Sequence, residues 1–363
     1  MHRVLPYGEH IHLAPAFVQE CLSSSGQAPP VLIGGAVQEV VGAGQAAPRA
    51  GVSLMAASLP GVRLHAFHAT NTSLPELPEG AWSHLICPQR TAAGAQHKTA
   101  ALLLSEPHFI MVDELLHRLH STVPEMPVVG GVLQPAAWGQ DRSLRGALFL
   151  GSQALDQGAV GCLMTGPLQL HTLCSQGCRP VGRMVRVTEA EGNTILQLNG
   201  QPATSIIRQL IMGLDDKDKR IPAQIGIDAS GEGTSFIARN IVSFDNTIQA
   251  VEVAVGHIPE GSLVQLHVRD SAWAQQQLRE RMQGFVSGLP ADVQSDPMSL
   301  GAFLFSCVMV QHAEQQLLSA SMPSLPLQGG KFQGEFGPLV GNAGSIMHSF
   351  SSSFGFLRQA ASP

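Results

Sequence analysis

The sequence has few aromatic residues, little charge and no long apolar run. One Tyr and three Trp among 363 residues leave few aromatic stacking surfaces, and charged residues make up only 13% of the chain. Lys and Arg number 21 against 27 Asp and Glu, so the formal net charge is −6 and no basic excess is available to neutralise phosphates. We therefore expect neither nucleic acid nor a membrane surface as a partner.

Targeting signals are also missing. The longest strongly apolar run, Ala302 to Val310, is far below the roughly 18 residues of a membrane-spanning helix. The first part of the chain carries prolines, acids and histidines where a secretory signal peptide would be apolar. These absences predict an intracellular protein, cytoplasmic or nuclear, whose cysteines are thiols.

Motifs for metal, nucleotide and acyl-transfer chemistry are absent as well. Cys174 and Cys178 are not spaced as a zinc or redox pair, and no second pair completes a tetrahedral set. No glycine-rich turn is followed by Lys-Ser or Lys-Thr, and no G-x-S-x-G nucleophile elbow occurs. We expect no metal, no cofactor and no familiar catalytic motif.

The first half of the chain contains an internal sequence repeat. A helix, a proline turn, a buried strand and a Gly-Gly pair occur twice, at residues 17–35 and again at residues 110–131. Each copy is followed by two more apolar segments, which predict strands at 51–57 and 62–68 and at 146–150 and 158–164. The repeat indicates two similar α/β units in one pseudo-symmetric layer.

One strand of this repeat has no counterpart. The second copy begins with an apolar strand, Ala100 to Leu104, whereas residues 1–15 are too few and too polar to supply the same strand and its turn. We expect the first strand to be missing from this chain or supplied from elsewhere. An open sheet edge would be left, which is a risk for aggregation or pairing.

The sequence pattern of the second half, from about Thr165, predicts a mixed α+β domain with antiparallel strand pairing. The pattern predicts a strand at 194–198, a tight turn at Asn199-Gly200 and a helix that begins after Pro202. Strands at 250–255 and 263–268 flank a short glycine loop and predict a hairpin. Asp270 and Ser271 are placed to cap the helix that follows.

Three segments combine special backbone residues with reactive or charged ones. In residues 175–182, Arg179 offers a planar fork that suits a carboxylate, and it stands beside Cys178. The alternative is an Arg179 that pairs with an acid of the protein itself and a Cys178 that is a buried, inert thiol. The other two segments, 304–307 and 334–349, contain Cys307, Glu335 and His348. These residues are candidates for a thiol nucleophile, an orienting acid and a base. The alternative is a core cysteine and a hydrogen-bonded histidine.

At these segments the chain resembles the FIST domain family, a two-part sensory module of bacterial signalling proteins and of some F-box proteins. The likeness covers nearly everything after about Pro30. In the first half it rests on residues 33–35 and 129–131. In the second half it rests on an ordered set of motifs: residues 175–182, 192–193, 198–203, 305–307, 334–338 and His348.

The resemblance implies an α/β fold with two parts. A FIST N-terminal-like domain would span residues 1–164, packed on a mixed α+β FIST C-terminal-like domain at residues 165–355. It implies a non-enzymatic sensory module in signal transduction that binds a small ligand, an amino acid or another carboxylate. The ligand pocket would lie near where the parts meet, with Arg179 as first candidate for the carboxylate, and would be lined by Cys178, Arg179, Cys307, Glu335 and His348. Structural turns are expected at Gly34, Gly35, Gly130, Gly131, Gly177, Gly182, Gly200, Gly334 and Gly337.

Other functions stay open at this point. In F-box members the module would help to recruit proteins for ubiquitin-dependent catabolism, so an adaptor role in a ubiquitin-ligase pathway is the alternative, and a thiol-dependent enzyme is the third. The sequence departs from the family at two points that bear on the expected ligand pocket and on the output of the module. Val308-Met309 stands where the family tends to have Arg-Gly, which removes a cation from the expected pocket. We recognise no F-box, kinase, cyclase or receptor segment within these 363 residues.

Overall fold

A computed structural model describes residues 11–22, 30–37, 39–42, 52–76, 98–134, 147–219, 223–228, 231–234, 236–254, 256–296, 299–310, 313–338 and 344–360. The chain forms two compact units. Unit 1 is built from Met1–Cys174, Arg279–Met347 and Ser352–Pro363, and unit 2 from Ser175–Leu278 and His348–Ser351. Both units are discontinuous in sequence, whereas the predicted domains divide the chain once, after residue 164.

The fold is mixed α/β with several sheets, as predicted. A 3-10 helix covers Ile11–Leu13, and the α-helices are α1 (Ala14–Leu22), α2 (Ser73–Glu76), α3 (Val112–Thr122), α4 (Ala203–Met212), α5 (Asp216–Lys219), α6 (Ser271–Gly288), α7 (Ala291–Ser295) and α8 (Ala313–Ser321). The strands are β1 (Ile33–Gly35), β2 (Val40–Gly42), β3 (Arg63–Ala69), β4 (Lys98–Ser105), β5 (Val128–Leu133), β6 (Leu148–Leu150), β7 (Gln153–Leu155), β8 (Ala159–Gly166), β9 (Leu168–Gln176), β10 (Cys178–Glu191), β11 (Thr194–Leu198), β12 (Gln201–Pro202), β13 (Ala223–Asp228), β14 (Ile237–Asp245), β15 (Ala250–Val253), β16 (Leu263–Arg269), β17 (Leu300–Cys307), β18 (Leu327–Pro338), β19 (Ser345–His348) and β20 (Ser351–Gln359).

Unit 1 contains a ten-stranded sheet in the order β3-β8-β4-β5-β18-β17-β20-β9, with β2 and β19 also paired to β18. We call β3, β8, β4 and β5 the first half-sheet, and β18, β17, β20 and β9 the second half-sheet. In each half-sheet a parallel strand pair is linked through a helix, β4–α3–β5 in the first and β17–α8–β18 in the second. An antiparallel strand then returns beside the first member of each pair, β8 beside β4 and β20 beside β17.

The helix of the first half-sheet follows directly from its sequence. In α3 the side chains of Val112, Leu115, Leu116 and Leu119 are buried, at the i, i+3, i+4 and i+7 spacing of one helix face. Every residue of β5 is buried, as expected for a central strand covered on both faces. The predictions of this helix and of the strands at 100–104, 127–131 and 158–164 are confirmed.

The predicted repeat is distributed over two sheets. The strand of its first copy, β1, pairs with β6 in a separate three-stranded sheet in the order β1-β6-β7, whereas the strand of the second copy, β5, lies at the centre of the large sheet. The predicted strand at 51–57 is wrong for the described residues 52–57, which form no strand. The predicted strands at 62–68 and 146–150 are found as β3 and β6.

Unit 2 is a seven-stranded sheet in the order β10-β16-β13-β14-β15-β11-β12. A further antiparallel pairing, between β10 and β11, closes six of these strands into a ring. Alternate residues of the ring strands point inward and pack with the apolar face of α4, and this core includes Val185, Val187, Ile195, Ile206, Ile207, Ile225, Val251, Val264 and Leu266. The antiparallel pairing expected for the second half is therefore found here.

The predicted hairpin of residues 250–255 and 263–268 is wrong. β15 pairs with β14 and β11, while β16 pairs with β10 and β13, so the two strands lie apart in the ring. The connection carries Ile258, which is 2% exposed and belongs to the core of unit 2. Ile258 thus anchors the connection to the core, while Gly256, His257 and Glu260 of the same segment are exposed.

Candidate functional site

Arg179, the residue predicted to bind a ligand carboxylate, forms a group of three charged residues with Asp218 and Asp270 in unit 2. The Nε of Arg179 donates to Oδ2 of Asp270 at 2.9 Å, and its Nη2 donates to Oδ1 of Asp218 at 2.8 Å. We call Arg179, Asp218 and Asp270 the Arg179 cluster. Its formal charge is −1, since one cation faces two carboxylates.

Secondary structure explains the position of each member. Arg179 stands opposite Val268 in the pairing of β10 with β16, so the end of β16 brings Asp270 beside it. Asp270 also caps α6, because its Oδ1 accepts the backbone N–H of Trp273 at 3.0 Å, as predicted from sequence. Asp218 belongs to the four-residue helix α5 and is 6% exposed. The cluster is thus held by a strand, a helix start and a short helix.

The electrostatics of the cluster favour the charged forms. The backbone N–H of Trp273 and then the Arg179 guanidinium hold the pKa of Asp270 below its usual value. The hydrogen bond to Asp270 and the charge of Asp218 raise the pKa of Arg179. The side chains of Arg179 and Asp270 are 25% and 30% exposed, so part of this charged surface is open to solvent.

Such an arrangement presents both signs of charge to a small molecule. The Nε and Nη2 of Arg179 are engaged by protein carboxylates, which is the alternative interpretation of this residue given above. An anion alone would approach a group that already has a net negative charge. A zwitterion suits the group better, since its ammonium can meet Asp270 while its carboxylate meets the exposed edge of Arg179.

Two further predicted site residues, Cys178 and His348, also belong to unit 2. Cys178 is 1% exposed, its Sγ lies 3.5 Å from Oε1 of Gln224, and it packs with Ala238 and Phe350. Because neighbouring residues of a strand point to opposite faces, Cys178 and the Arg179 side chain lie on different faces of β10. His348 is 3% exposed. Both residues are buried, which is the structural alternative considered above.

Cys307 and Glu335 belong to unit 1 and lie in the second half-sheet. Cys307 ends β17 and stands opposite Phe332 of β18, with 2% of its surface exposed. Glu335 is three residues further along β18, roughly 10 Å for an extended strand, and stands opposite Gly131 of β5. The thiol and the carboxylate are therefore separated by more than a hydrogen-bond distance.

The expected turn glycines do not all lie at turns: Gly177 forms the bend between β9 and β10, and Gly200 lies in the turn between β11 and β12. Gly182 and Gly200 have φ of 68° and 73°, a conformation that favours glycine. Gly182 lies within β10, at an irregularity in its pairing with β16, and the turn prediction is wrong for the six other strand glycines: Gly34, Gly35, Gly130, Gly131, Gly334 and Gly337. The strand glycines serve close packing: a Cβ at Gly131 would lie 2.7 Å from the ring of Phe332.

Beside Cys307 lies a buried polar network that the sequence reasoning missed. Nζ of Lys331 donates to Oγ of Ser306 at 2.9 Å and to the carbonyl oxygen of Val310 at 2.7 Å. Oε1 of Glu314 accepts from Oγ of Ser306 at 3.2 Å and from Oγ of Ser352 at 2.8 Å. We call Ser306, Glu314, Lys331 and Ser352 the Lys331 network, and each member is at most 4% exposed.

The Lys331 network bears on the expected loss of a cation at residues 308–309. Lys331 bonds to the carbonyl of Val310 in the loop after β17 and lies 3.9 Å from the Glu314 carboxylate. A cation is therefore present at this loop, supplied by β18. A Lys within the run Gly329-Gly330-Lys331-Phe332 was the available signal, since Lys is rarely buried without a partner.

The described ranges given above contain neither a metal cluster nor a helix suited to span a membrane. No group of three or more His, Cys, Asp or Glu side chains within them is arranged to hold a metal ion. Among the same residues, no helix combines the length and apolar character that crossing a membrane would take.

Comparison with known proteins gives a consistent match. Residues 7–201 match the FIST N domain and residues 200–338 match the FIST C domain. The chain is 29% identical over 269 residues to the uncharacterized protein Rv0628c of Mycobacterium tuberculosis, and 29% identical over 268 residues to the uncharacterized protein Mb0898c of Mycobacterium bovis. Each match covers 69% of this chain and 66% of the relative, slightly less than two thirds of the relative's length.

Proposed function

This chain belongs to the FIST family, whose domains are sensory modules of signal transduction, and on that premise we propose that it binds a free amino acid without catalysing a reaction on it. The Arg179 cluster is the proposed binding site. Its ligand would carry a carboxylate and an ammonium group, and its binding would be the signal that the module reports.

One observation carries this proposal: a partly exposed arginine is held between two carboxylates, one of which is also fixed by a helix cap. Asp270 is fixed by the cap of α6, and Arg179 by its two ion pairs. A fixed arrangement lowers the entropy lost on binding, because little has to be ordered when the ligand arrives. The mixed charge favours a zwitterion over a simple acid or a simple amine.

A thermal-shift screen with matched compounds tests the proposal. Each amino acid is compared with the amine that lacks its carboxylate and with the acid that lacks its ammonium group. We expect the melting temperature to rise with one or more amino acids and to rise much less with either single-charge analogue. If an acid without the ammonium group raises the melting temperature as much as its amino acid does, the mixed-charge site is contradicted.

The matched variants are Arg179→Lys and Arg183→Lys. Both keep the charge and both lie on β10, but Arg183 is exposed and lies outside the cluster. We expect Arg179→Lys to weaken binding at least about tenfold, because lysine cannot reproduce the two-directional fork, and Arg183→Lys to leave binding unchanged. No binding by any amino acid, or equal binding by both variants, would rule out this site.

A further inference from the structure

A polar cleft in unit 2 lies between two turns at the end of the strand ring. Its volume is about 470 Å³, within the range of small-molecule sites. One turn joins β11 to β12 and the other joins β14 to β15. The cleft is lined by Glu189, Leu196, Gln197, Gly200, Pro202, Thr247, Ile248 and Gln249.

The carboxylate and the amide in this lining are paired across two strands. Glu189 of β10 stands opposite Gln197 of β11, and Nε2 of Gln197 donates to Oε2 of Glu189. This bond fixes the direction of the carboxylate. Glu189 is the single charged residue among those that line the cleft.

The first wall is a tight turn with little freedom. Asn199 and Gly200 have φ of 50° and 73°, as in the two-residue turns that favour Asn-Gly. The backbone N–H of Asn199 donates to the carbonyl of Arg186 at 2.8 Å, and that of Gly200 donates to Oγ1 of Thr188 at 2.9 Å. The turn is thereby fixed to β10.

The second wall is fixed in the same way. Oδ1 of Asp245 accepts the backbone N–H groups of Thr247 and Ile248 at 2.7 and 3.2 Å. Gln249 has φ of 56°, which is uncommon for a residue with a side chain, and its carbonyl accepts the N–H of Thr204 at 3.1 Å. Hydrogen bonds therefore preset both walls before any ligand is present.

We propose that this cleft is a second binding site, for a small organic cation with a primary ammonium group and a short alkyl chain. Glu189 would hold the ammonium group, while side-chain and backbone oxygens of the lining would accept its remaining protons. Leu196, Pro202 and Ile248 would contact the alkyl chain, and the Ile248 side chain is accessible to it, since this residue is 59% exposed. The site is distinct from the Arg179 cluster, since Glu189 and Arg179 are near opposite ends of β10, roughly 30 Å apart for an extended strand.

Titration with n-pentylammonium, followed by ¹H–¹⁵N NMR of the full chain, tests this site. We expect saturable shifts at the backbone amides of Gln197, Gly200 and Ile248. The neutral analogue 1-pentanol has a similar chain without the charge and is expected to bind at least tenfold more weakly. Equal binding of the alcohol, or no saturable shift with the amine, would overturn the proposal.

Three variants separate charge from fold. Glu189→Gln is expected to weaken pentylammonium binding at least tenfold, whereas Glu191→Gln, on the same strand but outside the lining, keeps it. Ile248→Lys places a cation at an exposed position of the rim and is expected to weaken binding by repulsion without disturbing the core. Unchanged binding in both Glu189→Gln and Ile248→Lys would show that the amine binds elsewhere. Because Arg179→Lys leaves this cleft intact, the two proposed sites can fail independently.

Discussion

The two half-sheets of unit 1 share a backbone plan and differ in how they accommodate polar groups. In the first, the N–H of Ala101 donates to the carbonyl of Pro127 at 2.9 Å, and in the second the N–H of Ala302 donates to that of Pro326 at 2.8 Å. Leu103 stands opposite Gly130, and Leu304 opposite Gly329. The second half-sheet thus repeats the parallel pair of the first, residue by residue.

The difference lies at the carboxyl ends of these parallel pairs. In the first half-sheet the carboxylate of Glu106, just after β4, accepts the backbone N–H of His108 at 2.7 Å and that of Gly158, just before β8, at 3.5 Å. In the second, the Lys331 network links β17, β18, β20 and α8 through side chains. The same backbone arrangement therefore supports either a carboxylate that bonds to backbone N–H groups or a buried ion pair whose side chains couple four elements.

The largest effect is expected from breaking the Lys331 network. Lys331→Met should lower the free energy of unfolding by about 3–5 kcal/mol, because it leaves the Glu314 carboxylate buried without its cation. In the first half-sheet Glu106→Gln should cost only about 1–2 kcal/mol, since the amide oxygen can still accept the N–H of His108 and only the longer bond from Gly158 is lost. Urea unfolding of both variants measures the comparison.

A double variant shows whether the loss comes from the unpaired charge. Lys331→Met combined with Glu314→Leu removes both charges and should recover part of the stability that Lys331→Met loses. If Lys331→Met alone unfolds at the same urea concentration as the native chain, the network is not the coupling element inferred here.

A smaller effect is expected from the paired glycines. A Cβ at Gly130 would lie 1.7 Å from the carbonyl oxygen of Leu103, and one at Gly329 would lie 2.1 Å from that of Leu304. Gly130→Ala and Gly329→Ala should each lower the free energy of unfolding by about 1–3 kcal/mol, because the strands must separate to admit the methyl group. Gly284→Ala, in the open on α6, is the control and should be neutral or stabilising. Similar losses at Gly130 and Gly329 would support the equivalence of the half-sheets, and a loss at one position alone would argue against it.

The smallest effect concerns the outer strands, β3 and β9. Burial, followed by the charges of Arg358 and Lys98, lowers the pKa of His171 on β9 below its ordinary value of 6.5. A base with a lower pKa in the folded state binds more protons when unfolded, so stability should fall as the pH drops below 6.5. We expect His171→Phe to reduce this slope in urea unfolding between pH 7 and pH 5. His68→Phe on β3, where the histidine is exposed, is the control. Equal slopes in the native chain and His171→Phe would contradict the assignment.

Local patterns predicted the individual elements well, and distant pairing poorly. The 3.6-residue spacing of α3, the Asn199-Gly200 turn and the Asp270 cap are each set by residues within a few positions of one another. The pairing of β5 with β18 joins residues near 131 to residues near 335, and no local period specifies it. The same holds for β15 and β16, which are neighbours in sequence and are separated in the ring.

The candidate site was predictable only in part. Arg179 was identified from its segment, but its two acidic partners come from α5 and from the end of β16, which sequence cannot place beside it. The internal repeat was assigned to the wrong pair of segments for the large sheet: Pro127-Val-Val-Gly-Gly131 has its structural counterpart in Pro326-Leu-Gln-Gly-Gly330. That likeness is visible in the sequence, but most of unit 2 lies between the two segments.

The long separation between β5 and β18 has a consequence for synthesis on the ribosome. β5, with Val128, Val129 and Val132, is made long before the strand that pairs along its free edge. During the synthesis of the intervening residues this edge of the nascent sheet has no β18 to pair with, and an apolar strand edge is prone to associate with other chains. Premature termination before Leu327 would make this exposure permanent, so the first half-sheet depends on a strand that is translated long after β5.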